Sequence, residues 1–366
     1  MTEATSTDRP LREARPGREA MWVWTASIAL TAIFGLVGLV VPVVAENLLG
    51  VVAVIFLYLP IWTLDRRRVP LADYGLRWSP IGRGLAHLAG VTLLVLGPYV
   101  VIHHYWAIHV LELRPLLGAS QLQRFDTRLD GRPSWDAPTS APQVWVEGPR
   151  LYVVWAPSVA DAALDVKLPG GLSGLAGVAV DAERRLISTG RPPVKVEASG
   201  VATFTPASKS GGQPTGFSVL LPASGPMTLS GTDATISAGR HGTPVALPFE
   251  TSRSSWWWIE LLAMQLVLVA LPEEWFYRGY LQARLDESHP RRWRILGADL
   301  GVGWLLGSVL FALGHLVLDA RVERLAVFFP SLLFGWLRAR TGSVMASTLF
   351  HALCNVLAQT LGYLYW

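Results

Sequence analysis

Two adjacent carboxylates, Glu273 and Glu274, stand five and four residues before a guanidinium, Arg278. Farther on, Phe311-Ala312-Leu313-Gly314-His315 and His351-Ala352-Leu353-Cys354-Asn355 each set an imidazole in an otherwise apolar run, and the second adds an amide. A charged group at bilayer depth costs about 2.5–3.5 kcal/mol on insertion scales, so polar side chains kept there are directed at one another, at a ligand or at water. Carboxylates, imidazoles, an amide and a guanidinium together suit one kind of chemistry. They can activate water and stabilise an oxyanion, which is hydrolysis.

On a regular helix Glu274 and Arg278 are i and i+4 and pair on one face. Glu273 is turned by about 100° from Glu274 and faces elsewhere. This makes Glu274–Arg278 an internal ion pair and leaves Glu273 as the base, because a carboxylate away from bulk water accepts a proton more readily. His315 can share polarisation of the same water. His351 and Asn355 are again i and i+4, projecting two hydrogen-bonding groups to one place, as an oxyanion site requires.

The elements that must position these groups are membrane helices. Of the 366 residues, 51% are hydrophobic and only 16% charged, where a soluble domain carries about 25% charged residues. The apolar residues gather in runs at about 21–43, 48–63, 86–111, 255–272, 296–317, 325–338 and 343–365. The expected fold is therefore an all-α polytopic membrane protein of about seven transmembrane helices. The second and sixth runs are short and contain Pro60 and Pro330, which predicts tilted, re-entrant or protein-buried helices. The net charge of +4 resides in cations flanking the apolar runs, so it reads as a topology signal facing anionic lipid and not as a nucleic-acid surface. Basic groups at Arg9, Arg12, Arg15 and Arg18, at Arg66 to Arg68, at Arg284 with Arg291, Arg292 and Arg294, and at Arg338 with Arg340 fall on one side of alternating helices. That places the N-terminus in the cytoplasm, and a bacterial inner membrane is the expected location. The run from Met21 is long enough to stay as a first span instead of being cleaved as a signal peptide.

The divisions expected are a basic tail over 1–20, helices over 21–111, an insert over 112–254 and a catalytic membrane core over 255–366. The insert is rich in Gly, Pro, Ser and Thr, with alternating stretches at 144–146, 151–155, 194–196 and 217–221. Turn signals at 169–171, 210–212 and 239–242 separate them. It reads as a β-rich extracytoplasmic domain, plausibly a sandwich. No catalytic constellation lies in it, and its partner is not specified by its residues.

Depth sets one condition on the core. If the fifth helix began near Arg294, His315 would lie about 30 Å in, at 1.5 Å per residue. A site shared with Glu273 and His351 requires that helix to start later, near Asp299 or Gly303, or to be broken. Gly303 and Gly307 form a GxxxG that allows close helix approach.

EExxxR followed by FxxxH and HxxxN resembles the CPBP family of intramembrane glutamic endopeptidases, the CAAX-protease and bacteriocin-processing group. Arg278-Gly279-Tyr280-Leu281-Gln282 and Arg340-Thr341-Gly342-Ser343 extend the likeness, which covers about 255–365. The resemblance implies that Glu273 and His315 activate the water, that Glu274 with Arg278 supports the site, and that His351 with Asn355 binds the oxyanion. It also implies no cofactor and a membrane-anchored protein or peptide substrate in the lipid bilayer, cut near its C-terminus; an external insert leans towards the sorting-tail, myxosortase-like relatives. Two other readings stay open. Glu273, His315 and His351 could hold zinc, although no HExxH is present. The same polar groups could serve a non-enzymatic membrane binding or transport protein, although no internal repeat is visible. His103, His104, His109 and Glu112 also raise a metal question, but they do not converge on one helix face, and interfacial polar residues are the simpler reading. Cys354, the single cysteine, excludes a disulfide framework and reads as a small buried residue.

Overall fold

The computed structural model describes residues 16–77, 81–115, 122–133, 141–155, 163–181, 183, 185–190, 194–196, 201–204, 215–222, 225–231, 235–240, 242–318 and 320–365. Arg9, Arg12, Arg15, the turn signal at 210–212 and His241 lie outside the described residues. The chain divides into two compact units, Met1–Val110 with Ile259–Leu361 and Leu111–Trp258 with Gly362–Trp366. The expected core of 255–366 therefore loses both of its ends to the second unit.

The first unit is helical. Its elements are α1 (Pro16–Gly38), α2 (Pro42–Glu46), α3 (Leu48–Arg66), α4 (Ile81–Val91), α5 (Gly97–His109), α6 (Trp257–Met264), α7 (Leu271–Glu274), α8 (Gln282–Ser288), α9 (Val302–Leu318), α10 (Phe328–Thr341) and α11 (Met345–Tyr363). A π turn, Thr92–Leu96, joins α4 to α5, and π turns at Gln265–Ala270 and Trp275–Leu281 join α6, α7 and α8 into one helical run over 257–288. Among the described residues three helices are long and apolar enough to cross a membrane: Pro16–Gly38, Leu48–Arg66 and Gly82–His109. The four C-terminal runs are helical over most of their length but shorter, more polar or interrupted by π turns. The short helix α2 occupies what reads in the sequence as a loop around Ala45-Glu46-Asn47. Pro330 falls in the first turn of α10, where a missing N–H costs little, whereas Pro60 lies inside α3.

Between α8 and α9 the chain forms a hairpin, Arg292–Ile295 against Ala298–Gly301. Leu296 and Gly297 turn it with φ of 47° and 74°, both left-handed as a type I′ turn demands. This hairpin takes residues 296–301 out of the expected fifth span, and α9 starts at Val302. Glu273 to Ser288 and Val302 to His315 then run similar lengths, about 20 Å each at 1.5 Å per residue. The delayed start removes the depth conflict. Asp286 Oδ1 accepts from the Gly303 N–H at 2.7 Å, satisfying one of the donors a helix start leaves open.

The second unit is a sandwich of a seven-stranded and a five-stranded sheet among the described residues. Arg150–Trp155 lies central in the larger sheet, antiparallel to Gln143–Glu147 and to Thr215–Leu220. Leu151, Val153 and Trp155 alternate inward with Phe217 and Val219, meeting Val166, Met227 and Leu229 of the smaller sheet. Period-two patterning thus identified these strands correctly. Arg124 and Ser254 exchange backbone hydrogen bonds of 2.9 and 2.8 Å, tying the first and last parts of the insert together.

The two glycines of the GxxxG are unequal. A Cβ on Gly303 would overlap the Gln282 carbonyl oxygen and reach 2.7 Å from Asp286 Oδ1, whereas one on Gly307 would meet the Tyr277 carbonyl oxygen at an ordinary 3.7 Å. Gly303→Ala is expected to destabilise the helical unit by about 1–3 kcal/mol, as overpacking does. Gly307→Ala should leave the thermal midpoint in detergent unchanged or raised, because alanine is the better helix former.

Candidate active site

The glutamate pair sits on a helix whose period is disturbed on both sides. Pro272 in α7 lacks an N–H and its ring crowds the carbonyl four residues back; the π turn Gln265–Ala270 directly precedes α7, and a second follows at Trp275–Leu281. Such turns insert residues into the spiral and rotate the next turn of helix, a frequent arrangement at functional sites.

Glu274 and Arg278 are fully buried, with Oε2 and Nε 3.6 Å apart. The Arg278 guanidinium also donates from Nη2 to Ser331 Oγ at 2.7 Å and stands 5.0 Å from the Phe311 ring centre. The expected ion pair is present. The expected orientation of Glu273 is not: both carboxylates reach one imidazole. His351 Nδ1 lies 3.1 Å from Glu274 Oε1, and His351 Nε2 lies 3.9 Å from Glu273 Oε2. The ring itself is held by stacking on Phe334, with centroids 4.7 Å apart at 16°.

This geometry constrains the protons. Ionised Glu274 only accepts, so Nδ1 of His351 carries a hydrogen. A neutral ring would then turn the lone pair of Nε2 toward the Glu273 carboxylate. Two acceptors would then face each other at 3.9 Å. Glu273 Oε2 and Glu274 Oε2 are both buried without a hydrogen-bond partner among the described residues. The two side chains differ in exposure, 16% for Glu273 against none for Glu274. Glu273 is thus the more accessible of the two carboxylates.

His315 bonds back to its own helix, Nδ1 to the Phe311 carbonyl at 3.0 Å. A carbonyl only accepts, so Nδ1–H donates and a neutral ring presents its lone pair at Nε2. Phe311 connects the set: its ring centre is 4.5 Å from His315 and 6.0 Å from His351. Asn355 departs from expectation, because its Nδ2 donates to Gln265 Oε1 at 2.8 Å while His351 engages the glutamates. The α11 face is laid along the 257–288 run, each polar residue finding its own partner.

Gln265 and Ser331 are buried and were missed in the sequence. Gln265 carries the signal that exposed the others, a polar side chain in an apolar run, eight residues before Glu273. Ser331 carries none; serines are common in membrane helices and only packing shows that it meets Arg278. Among the described residues no three His, Cys, Asp or Glu side chains group as metal ligands, so Glu273, His315 and His351 are not arranged as such a trio. On α5, Tyr99 and Tyr105 pack against His103 and His109 at 6.1 and 4.5 Å. Cys354 is half-buried beside the Phe334–Phe350 cluster.

Residues 255–357 match the family described as type II CAAX prenyl endopeptidase Rce1-like. The C-terminal segment is thus similar to Rce1-like domains. All six candidate residues fall within the match, in agreement with the CPBP resemblance. The N-terminal helices and the insert lie outside it. No curated protein and no solved structure matches the chain. The helices long and apolar enough to cross a membrane lie N-terminal to the matched segment.

Two substitutions read the packing. Arg278→Leu leaves Glu274 buried without its cation and should destabilise the fold by about 3–5 kcal/mol. Gln265→Leu strands the Asn355 amide and should cost about 1–3 kcal/mol. Thermal unfolding in detergent measures both, and a loss of less than about 1 kcal/mol for Arg278→Leu would remove the ion pair from the architecture.

Proposed function

We propose that this protein is an intramembrane endopeptidase in which Glu273 is the general base. The observation that carries this reading is the asymmetry of the carboxylate pair: Glu274 is sealed between Arg278 and His351, while the Glu273 side chain is partly exposed and turns Oε2 toward His351 Nε2. A water hydrogen-bonded to Glu273 gives up its proton to the carboxylate as its oxygen bonds the peptide carbonyl carbon. The lone pair of His315 Nε2 is a second acceptor for that water. The carbonyl oxygen becomes an oxyanion and accepts from His351 Nε2–H and from the Asn355 N–H that Gln265 leaves unused. As the intermediate collapses, the C–N bond breaks and Glu273 returns the proton to the leaving amine. This keeps the roles expected for all six residues and adds Gln265 as the group that orients Asn355.

The substrate we propose is a membrane-anchored protein or peptide cut near its C-terminus, in the manner of sorting-tail processing. The basic flanks support a cytoplasmic N-terminus in a bacterial inner membrane, with the insert on the outer side. The mechanism calls for no metal.

Comparing new C-termini in membranes of cells carrying wild type or Glu273→Gln tests the reading. Trimmed tails should appear only with wild type, while the variant inserts and folds normally; retained cleavage would sink the assignment of Glu273. Activity should also survive chelation, and stoichiometric zinc with chelator-labile cleavage would transfer the water to a metal.

A further inference from the structure

The second unit holds a cavity of about 310 Å³ that the catalytic reading does not use. Two guanidiniums, Arg124 and Arg253, line it with one carboxylate, Asp130, and its apolar wall includes Phe125, Tyr363 and Tyr365.

The cations are held in place. Arg124 belongs to the backbone pair with Ser254, and its guanidinium lies 3.4 Å from the Tyr363 ring centre and 4.4 Å from that of Trp257. Trp257 is itself anchored, its Nε1 donating to the Leu122 carbonyl at 2.7 Å. Arg253 Nη1 donates to the Pro222 carbonyl, and its Cζ stands 5.2 Å from the Phe125 ring centre. Arg253 Nε is buried with no hydrogen-bond partner among the described residues.

Charge in the cavity is unbalanced. Asp130 Oδ2 comes only to 3.9 Å from Arg124 Nη1, beyond hydrogen-bond reach. Burial holds both arginines below their ordinary range and pushes the Asp130 carboxyl up. Two partly desolvated cations with one distant counter-charge among the described lining residues form a site that an incoming carboxylate completes, since Arg pairs with carboxylates through its planar fork. The aromatic wall adds room for an apolar side chain next to that carboxylate.

We propose that this cavity binds a peptide carboxylate flanked by an apolar residue, the C-terminal end of a protein tail. The proposal deepens the endopeptidase reading and rests on it for the identity of the tail. The site captures the end of the tail while cleavage occurs elsewhere on the chain.

Binding is measured on the full-length Glu273→Gln protein in zwitterionic nanodiscs, so that it is scored independently of proteolysis. The probe is a fluorescein-labelled Ala-Ala-Ala-Phe-Leu peptide with a free C-terminus, beside its C-terminal amide and an amide carrying Asp before the final Leu. The free acid should bind at least tenfold more tightly than the plain amide. Arg253→Gln should abolish that preference, and Arg124→Lys, which keeps charge but loses the fork, should weaken it. Variants are scored only if their thermal midpoint matches the parent; if Arg253→Gln fails to fold, Arg124→Lys alone decides. Equal binding by the Asp-containing amide supports the site and assigns the carboxylate to a side chain. No binding, equal binding of acid and amide, a preference unmoved in the variants, or displacement of peptide by phosphatidylglycerol nanodiscs overturns the proposal, the last by giving the cavity to a lipid phosphate. Cleavage lost in Glu273→Gln with peptide binding absent would leave the protease reading standing without this site. Peptide binding with no proteolysis in wild type would do the reverse.

Discussion

The helical unit is organised around a charge that cannot be left alone. Removing a carboxylate from water costs several kcal/mol even after relaxation, and the loss is recovered only if the carboxylate meets a cation and hydrogen-bond donors in good geometry. Glu274 meets Arg278 along its own helix and His351 from α11. Arg278 in turn needs Ser331 from α10 and lies over Phe311 from α9. One buried anion therefore draws four helical segments into register. The reachable Glu273 is a consequence, because the groups that satisfy its neighbour also place an imidazole opposite it.

Both glutamates serve one histidine although a regular helix sends adjacent residues about 100° apart. His351 offers Nδ1 to Glu274 and Nε2 to Glu273, on a helix with π turns on both sides of the pair. The hairpin at 292–301 delays α9 until Val302 and brings His315 to the level of the glutamates. Close contact at Gly303 then fixes α9 against α8. These departures from ideal geometry flank the candidate site.

The insert follows a different logic. Its sandwich core arises from the alternation of inward and outward side chains, with Trp145, Val154 and Val178 covering the second face of its larger sheet. Arg124 is flanked by the rings of Trp257 and Tyr363, the first residue of α6 and the last of α11. The aromatic residues at those two helix ends therefore pack within the second unit, which is why the boundary between the units falls inside runs that read as continuous helix in the sequence.

Much of this was legible in the chain itself. The cost of burying polarity singled out Glu273, Glu274, Arg278, His315, His351 and Asn355, and period-two patterning located the strands of the insert, because both signals are local and depend on residue type alone. The i, i+4 rule found the Glu274–Arg278 pair for the same reason. Three things required the tertiary structure. Glu273 joins Glu274 at His351 because α11 brings one imidazole within reach of both, a nitrogen for each. Asn355 pairs with Gln265 because α11 passes the 257–288 run at that height, a matter of long-range packing. Ser331 matters only because α10 brings it to Arg278. Sequence determined which groups had to be satisfied; the packing of the helices decided which partner each one found.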